Sequence, residues 1–142
     1  MIFEATQQNI LKAARLIQSG DVVAFPTETV YGLGASAYDA KAIAKIFAIK
    51  NRPTFNPLIS HIADIDFLSE YAQTDDRVLA LAKKFWPGPM TFILNRKDNN
   101  PALDLACAGL GKISVRMPNH KVALNLIKAS GVPIVAPSAN KS

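Results

Sequence analysis

Ile10-Leu11-Lys12-Ala13-Ala14-Arg15-Leu16-Ile17-Gln18-Ser19-Gly20-Asp21-Val22-Val23-Ala24-Phe25-Pro26 contains the helix-then-strand unit that sets the fold class. Ile10, Leu11, Ala14 and Ile17 recur at helical spacing, and Gly20 follows as a stop signal. Val22–Phe25 is a short apolar run, the pattern of a buried strand, and Pro26 ends it. The same alternation continues outward. Asp39 is placed to cap a helix with Ile43, Ile46 and Phe47 on one face. Leu58–Ile62 reads as a strand, with Asp64 as the cap of a short helix after it. Thr74 or Asp75 opens another helix, with Val78, Leu79, Ala82 and Phe85 inward, and Trp86-Pro87-Gly88-Pro89 breaks it. Strands at Met90–Leu94 and Ile113–Arg116, a helix at Val122–Ala129 and a strand at Pro133–Ala136 complete the series. Such alternation predicts a layered α/β domain. Some strands follow each other too closely for crossovers, which predicts a mixed sheet. The polar stretch 96–111, containing Pro and Gly, is predicted to be a mobile surface loop.

A chain of 142 residues suits one domain, 1–142, with a core that needs no disulfide or metal. It stops at Lys141-Ser142, just past a loop following a buried strand, so the domain is expected to be incomplete at its C-terminal end. Apolar residues at 49% and charged residues at 19% exclude disorder. Sixteen Lys and Arg against eleven Asp and Glu give a net charge of +5, which favours anionic ligands such as nucleotide phosphates or nucleic acid. The lone Cys107 excludes a disulfide framework, fits a reducing cytosol and reads as a small residue without a catalytic role. Met1–Thr6 lacks the basic start and apolar run of a signal peptide, and no apolar stretch approaches ~18 residues. A cytoplasmic protein with no membrane contact is expected.

The usual catalytic patterns are missing. There is no phosphate loop, no Gly-x-Gly-x-x-Gly and no nucleophile elbow, and His61 and His120 stand in no metal-binding pattern. Catalytic side chains and metal ligands are therefore both expected to be none. Four segments remain, each rich in polar groups and most of them just after a strand, where ligands bind in open α/β sheets. Pro26–Gly34 offers two threonine hydroxyls, a carboxylate and two glycines, and could equally be a turn with capping threonines. Lys50-Asn51-Arg52-Pro53-Thr54-Phe55-Asn56-Pro57 carries a basic pair suited to phosphate, or an ordinary solvated pair. Arg116 ends an apolar run, where a buried charge needs a partner, either a ligand anion or a structural carboxylate. Ala136-Pro137-Ser138-Ala139-Asn140 places two hydrogen-bonding side chains after a strand, as a site or as a turn.

Taken together, five stretches in order resemble the YrdC/Sua5 family over essentially the whole chain. They are Pro26–Gly34; Lys50–Pro53 with Asn56-Pro57-Leu58; Trp86–Thr91; Val115–Pro118 with His120; and Ala136–Asn140. The resemblance implies a twisted open α/β sheet with flanking helices and a concave, positively charged face. It implies synthesis of threonylcarbamoyl-AMP from L-threonine, bicarbonate or CO2, and ATP with release of pyrophosphate, Mg2+ accompanying the nucleotide. It also implies tRNA as a partner and a downstream transferase that moves the group to adenosine 37. Residue by residue, Thr29, His61, Arg116 and Ala136 match threonine-binding positions. Lys50, Arg52, Asn56, Ser138 and Asn140 match nucleotide-binding positions. Lys112 departs from the pattern, standing where many relatives carry a small hydroxyl residue. The family usually continues past this point with sequence that completes the sheet. Two other readings stand beside the synthase: a noncatalytic RNA- or tRNA-binding module, and a related domain that adenylates carbamoyl phosphate. Base-stacking platforms interleave aromatic and basic residues, whereas Phe47, Phe85 and Trp86 are expected in the core. No acylphosphatase-like or zinc-finger segment supports the third reading.

Overall fold

The computed structural model describes residues 4–51 and 57–137. Helix α1 spans Gln7–Gln18, with Thr6 accepting from the Asn9 N–H at its start, and buries Ile10, Ala14 and Ile17 while Leu11 stays outside. Its chain reverses at Gly20, whose φ of +92° is open to glycine and strained for other residues. Strands β1 (Val23–Phe25) and β2 (Gly32–Ser36) form an antiparallel pair. Helix α2 (Ala40–Lys50) is capped by Asp39 as expected and turns Ile43, Ile46 and Phe47 inward. Strand β3 (Ile59–His61) leads through an Asp64-capped 3-10 turn, Ile65–Phe67, into α3 (Leu68–Tyr71). Then come α4 (Asp76–Phe85), capped by Asp75, and β4 (Phe92–Asn95). Helix α5 (Ala102–Ala106), β5 (Lys112–Arg116), α6 (Lys121–Ser130) and β6 (Ile134–Ala136) follow.

The six strands lie in the order β1-β2-β6-β3-β5-β4, with β3 and β5 parallel and the other neighbours antiparallel. The mixed sheet with flanking helices is the predicted architecture. Successive strand residues face opposite layers. Val115, Val135 and Ala35 join a core with α2, α3, α4 and α5, while Ile134, Ala136 and Phe25 join a second core with α1 and α6. Each fully buried Leu, Ile or Val contributes about 1.5–3 kcal/mol.

Three local expectations are corrected. Strand β2 begins inside the stretch read as a loop up to Gly34. Its glycines make room for a neighbour: a Cβ at Gly34 would stand 2.6 Å from Ile134 Cγ2 and 2.7 Å from the Phe25 ring. The segment 96–111 is not a free loop, for α5 buries Ala102, Leu103 and Ala106 in the core. Arg96 fixes its start, donating to Asp98 O, Asn100 O and Asp104 Oδ1 at 2.7, 2.9 and 2.7 Å. The Tyr38 hydroxyl donates to Asp98 Oδ2 at 2.6 Å. Phe85, expected inward, is 42% exposed with Lys84 Nζ 5.5 Å from its ring centre. Trp86 takes the inner place instead, edge-on to Phe92 and donating from its indole to Met90 O at 2.8 Å. Cys107 is buried in the core, where burial pushes its thiol pKa up, in keeping with an inert role.

Candidate functional site

The loop between β1 and β2 is ordered by one hydroxyl. Thr27 Oγ1 donates to Val30 O at 2.5 Å and accepts the N–H groups of Thr29 and Val30, each at 3.2 Å. The Thr29 hydroxyl lies 3.1 Å from Thr27 Oγ1 and has a lone pair for another donor. That donor is Arg116. The last residue of β5 reaches the loop with Nη1 on Thr29 Oγ1 at 3.2 Å, Nη2 on Glu28 Oε1, and Nε on Gly88 O at 3.1 Å. The residue is 6% exposed, so its charge needs these partners. Gly88 is fixed in turn by donating its N–H to Met117 O at 2.9 Å. Glu28 Oε2 accepts the Asn119 N–H at 2.8 Å, which ties the same loop to the segment after β5.

A guanidinium carries five N–H donors. Three are engaged among the described residues, leaving one on each terminal nitrogen. Partial burial works to raise the Glu28 pKa. The backbone N–H groups of Asn119 and Glu28 itself, then Arg116, outweigh it, and the carboxyl stays below its ordinary range.

His61 ends β3 and is the register partner of Arg116, so both side chains leave the same face at the C-terminal ends of two parallel strands. Its Nδ1 lies 3.1 Å from Ile59 O and 3.2 Å from Ile134 O, which makes Nδ1 the protonated nitrogen and Nε2 the acceptor. Burial first, and the Arg116 charge second, push the imidazole pKa down to about 4. Phe25 meets the ring edge-on at 5.6 Å. This depression makes a pH signature. Unfolded His61 takes a proton near its ordinary pKa, while the folded ring resists until about 4. Stability therefore falls as pH drops from about 6.5 towards 4, by up to about 1.4 kcal/mol per unit from this residue. Urea unfolding at several pH values is expected to show a flatter slope in that window for His61→Asn. Parallel slopes for both proteins would contradict it.

Ala136 lies on β6, next to β3 and opposite Ile59, buried on the same face as Phe25. The structure thus gathers Thr29, His61, Arg116 and Ala136 on one side of the sheet. Lys50 is not in hydrogen-bond contact with them. It is the last residue of α2, and its Nζ is buried with no hydrogen-bond partner among the described residues. Arg52, Asn56, Ser138 and Asn140 lie outside the described residues. Lys112 donates to Asn95 Oδ1 at 2.6 Å on the exposed end of the β4–β5 pair.

Two parts of the site are not among the residues assigned to a ligand from the sequence: Glu28, read only as the carboxylate of Pro26–Gly34, and the Gly88 carbonyl. The carboxylate had a signal, since an Arg ending an apolar run demands a counter-charge and Glu28 sits beside a threonine at another strand end. The carbonyl had none, because backbone groups carry no sequence mark.

Comparison with known proteins gives a consistent result. A family model for Sua5, YciO and YrdC proteins, described as telomere recombination, matches residues 15–142. Two curated relatives named threonylcarbamoyl-AMP synthase come from Bacillus subtilis and Pyrococcus abyssi. They are 49% and 50% identical over 94% and 92% of this chain. The chain spans about two fifths of their length, 38% in each. The solved structure of Pyrococcus abyssi Sua5 complexed with L-threonine superposes with a TM-score of 0.91 at 47% identity. That match covers 100% of this chain and 41% of that one. The chain belongs to the Sua5/YciO/YrdC family.

Proposed function

We propose that this chain carries the threonine and nucleotide sites of a threonylcarbamoyl-AMP synthase. The observation that carries the reading is Arg116, buried at a strand end with two N–H donors still open and its guanidinium fixed by Thr29, Glu28 and Gly88. A pre-oriented fork of this kind suits a carboxylate. The names of the relatives and the threonine held by the Pyrococcus abyssi protein point to the same ligand.

In this reading Arg116 holds the threonine carboxylate, and Thr29 and neutral His61 line the same pocket near Ala136. His61 Nε2 is an acceptor suited to a hydroxyl donor. The threonine ammonium gives one proton to solvent, the neutral amine adds to the carbon of CO2, and a second proton leaves to solvent, forming a carbamate. A carbamate oxygen attacks the α-phosphorus of ATP, and the bond to the β-phosphate oxygen breaks to release pyrophosphate. No covalent bond to the protein forms, so the protein acts by positioning and electrostatics. Lys50 is assigned to the phosphates. An ammonium that is buried without a hydrogen-bonding partner is costly, and a phosphate oxygen would relieve the cost. Arg52, Asn56, Ser138 and Asn140 are assigned to the nucleotide with it, on the family resemblance. Among the described residues no cluster of three or more His, Cys, Asp or Glu is placed to hold a metal. On the family resemblance, Mg2+ would enter with the nucleotide as part of the substrate.

The product would pass to a transferase acting on adenosine 37 of tRNA, which places the protein in the cytoplasm with tRNA. Among the described residues no helix is long and apolar enough to cross a membrane. The test is titration calorimetry with L-threonine and Mg-ATP. Both are expected to bind, and Lys50→Ala is expected to weaken ATP by about tenfold while leaving threonine within about twofold. Absence of threonine binding by the folded protein would remove the synthase reading. An equal loss of both ligands would remove the role given to Lys50.

A further inference from the structure

The ion pair at the end of β5 is larger than a carboxylate anchor needs. Arg116 alone would hold an anion, yet the loop delivers a carboxylate onto the same guanidinium. Glu28 is fixed through both oxygens, one on Arg116 and one on the Asn119 N–H. Its side chain is 22% exposed against 8% for Arg116, so Glu28 is the more open member of the pair. A carboxylate has about four lone-pair positions. Arg116, the Asn119 N–H and the N–H of Glu28 itself take three of those on Glu28, leaving one acceptor position next to the open N–H donors of Arg116.

We propose that Glu28 and Arg116 form one two-charge recognition unit, in which Arg116 takes the carboxylate of an amino acid and Glu28 takes its ammonium group. The proposal rests on the reading of Arg116 as the carboxylate anchor. Charge balance supports it. The ligand-free pair is neutral, and a simple anion on Arg116 would leave a net negative site sunk in protein. A zwitterion adds one charge of each sign and leaves the site neutral. Connectivity supports it as well. The amine and carboxylate of an α-amino acid share one carbon, so a carboxylate seated on the terminal nitrogens of Arg116 brings the amine beside the carboxylate already on Nη2. Glu28 remains anionic at neutral pH, which suits an acceptor. His61 stays uncharged in the same range and does not compete for either end. Glu28 thereby becomes a specificity residue, selecting free amino acids over other hydroxy acids of the same size.

The test is calorimetric titration of the intact protein with L-threonine and with 3-hydroxybutyrate, which keeps the carboxylate and hydroxyl but lacks the amine. Wild type is expected to bind threonine at least about tenfold more tightly. In Glu28→Gln the difference is expected to shrink to about threefold or less, while Glu28→Asp retains a clear preference. A full preference surviving in Glu28→Gln would overturn the proposal. Wild type binding the two acids within about threefold would overturn it too. That second comparison stands even if the variants fail to fold, as checked by circular dichroism. Wild type binding neither acid would remove the carboxylate reading of Arg116 and this inference with it. Equal binding of both would remove only the role of Glu28.

Discussion

Arg116→Ala is expected to lower the affinity for L-threonine by about a hundredfold or more, with Mg-ATP affinity changed by less than about threefold. Two losses combine. The ligand carboxylate loses its fork, and Glu28 loses the cation that helps keep it ionised. Arg116→Lys is expected to recover only part of the affinity. A lysine restores the charge but cannot donate at once to Gly88 O, Thr29 Oγ1 and Glu28. Calorimetry with each ligand separates the outcomes. Threonine binding that survives the alanine substitution would show that Arg116 is a structural ion pair. A matching loss of ATP binding would show that the two ligands share this anchor.

Leu103→Ala is expected to cost about 2–5 kcal/mol in urea unfolding. Leu103 is fully buried among residues from α2, α3 and the sheet, and the short helix carrying it is held by Arg96 and by Leu58, which donates to Ala106 O at 2.9 Å. A truly mobile loop would give a change within about 0.5 kcal/mol. The two descriptions of residues 96–111 therefore differ by an amount that one unfolding curve resolves.

What was legible in the sequence was mostly what a residue does to its own neighbours. Asp39 and Asp64 read as caps, and Asp75 as one of two candidates with Thr74, because a short carboxylate before an apolar run accepts a nearby N–H; each of the three aspartates does so in the structure. The strands around Phe25, Ser60, Ile93, Val115 and Val135 were found as apolar runs. Strand β2 was missed because Gly32-Leu33-Gly34-Ala35-Ser36 has no β-branched residue. Its glycines answer to the Phe25 ring, a contact made through space. Helix α5 was missed because Pro101, Asn100 and Asp98 signal a turn, and they do build one; the Asn100 side chain then starts the helix by accepting from Ala102 N. The candidate site followed the same divide. Arg116, Thr29 and His61 stood out as polar residues at or near strand ends. Their convergence came from the family resemblance; Glu28 is legible only as the carboxylate of Pro26–Gly34, and an ion pair as one of two open choices for Arg116.

Strand β6 lies between β2 and β3, although it is the last of the six in the chain. During synthesis, the β1–β2 hairpin and the β3-β5-β4 group emerge first and have no ladder to join them. Each presents an open inner edge until Ile134-Val135-Ala136 leaves the ribosome and closes both gaps at once. A nascent chain stalled before that point exposes two unpaired edges in one molecule, the condition under which sheets aggregate or recruit chaperones. The slow, long-range closure of β6 is thus the step at which biosynthesis of this domain is most vulnerable.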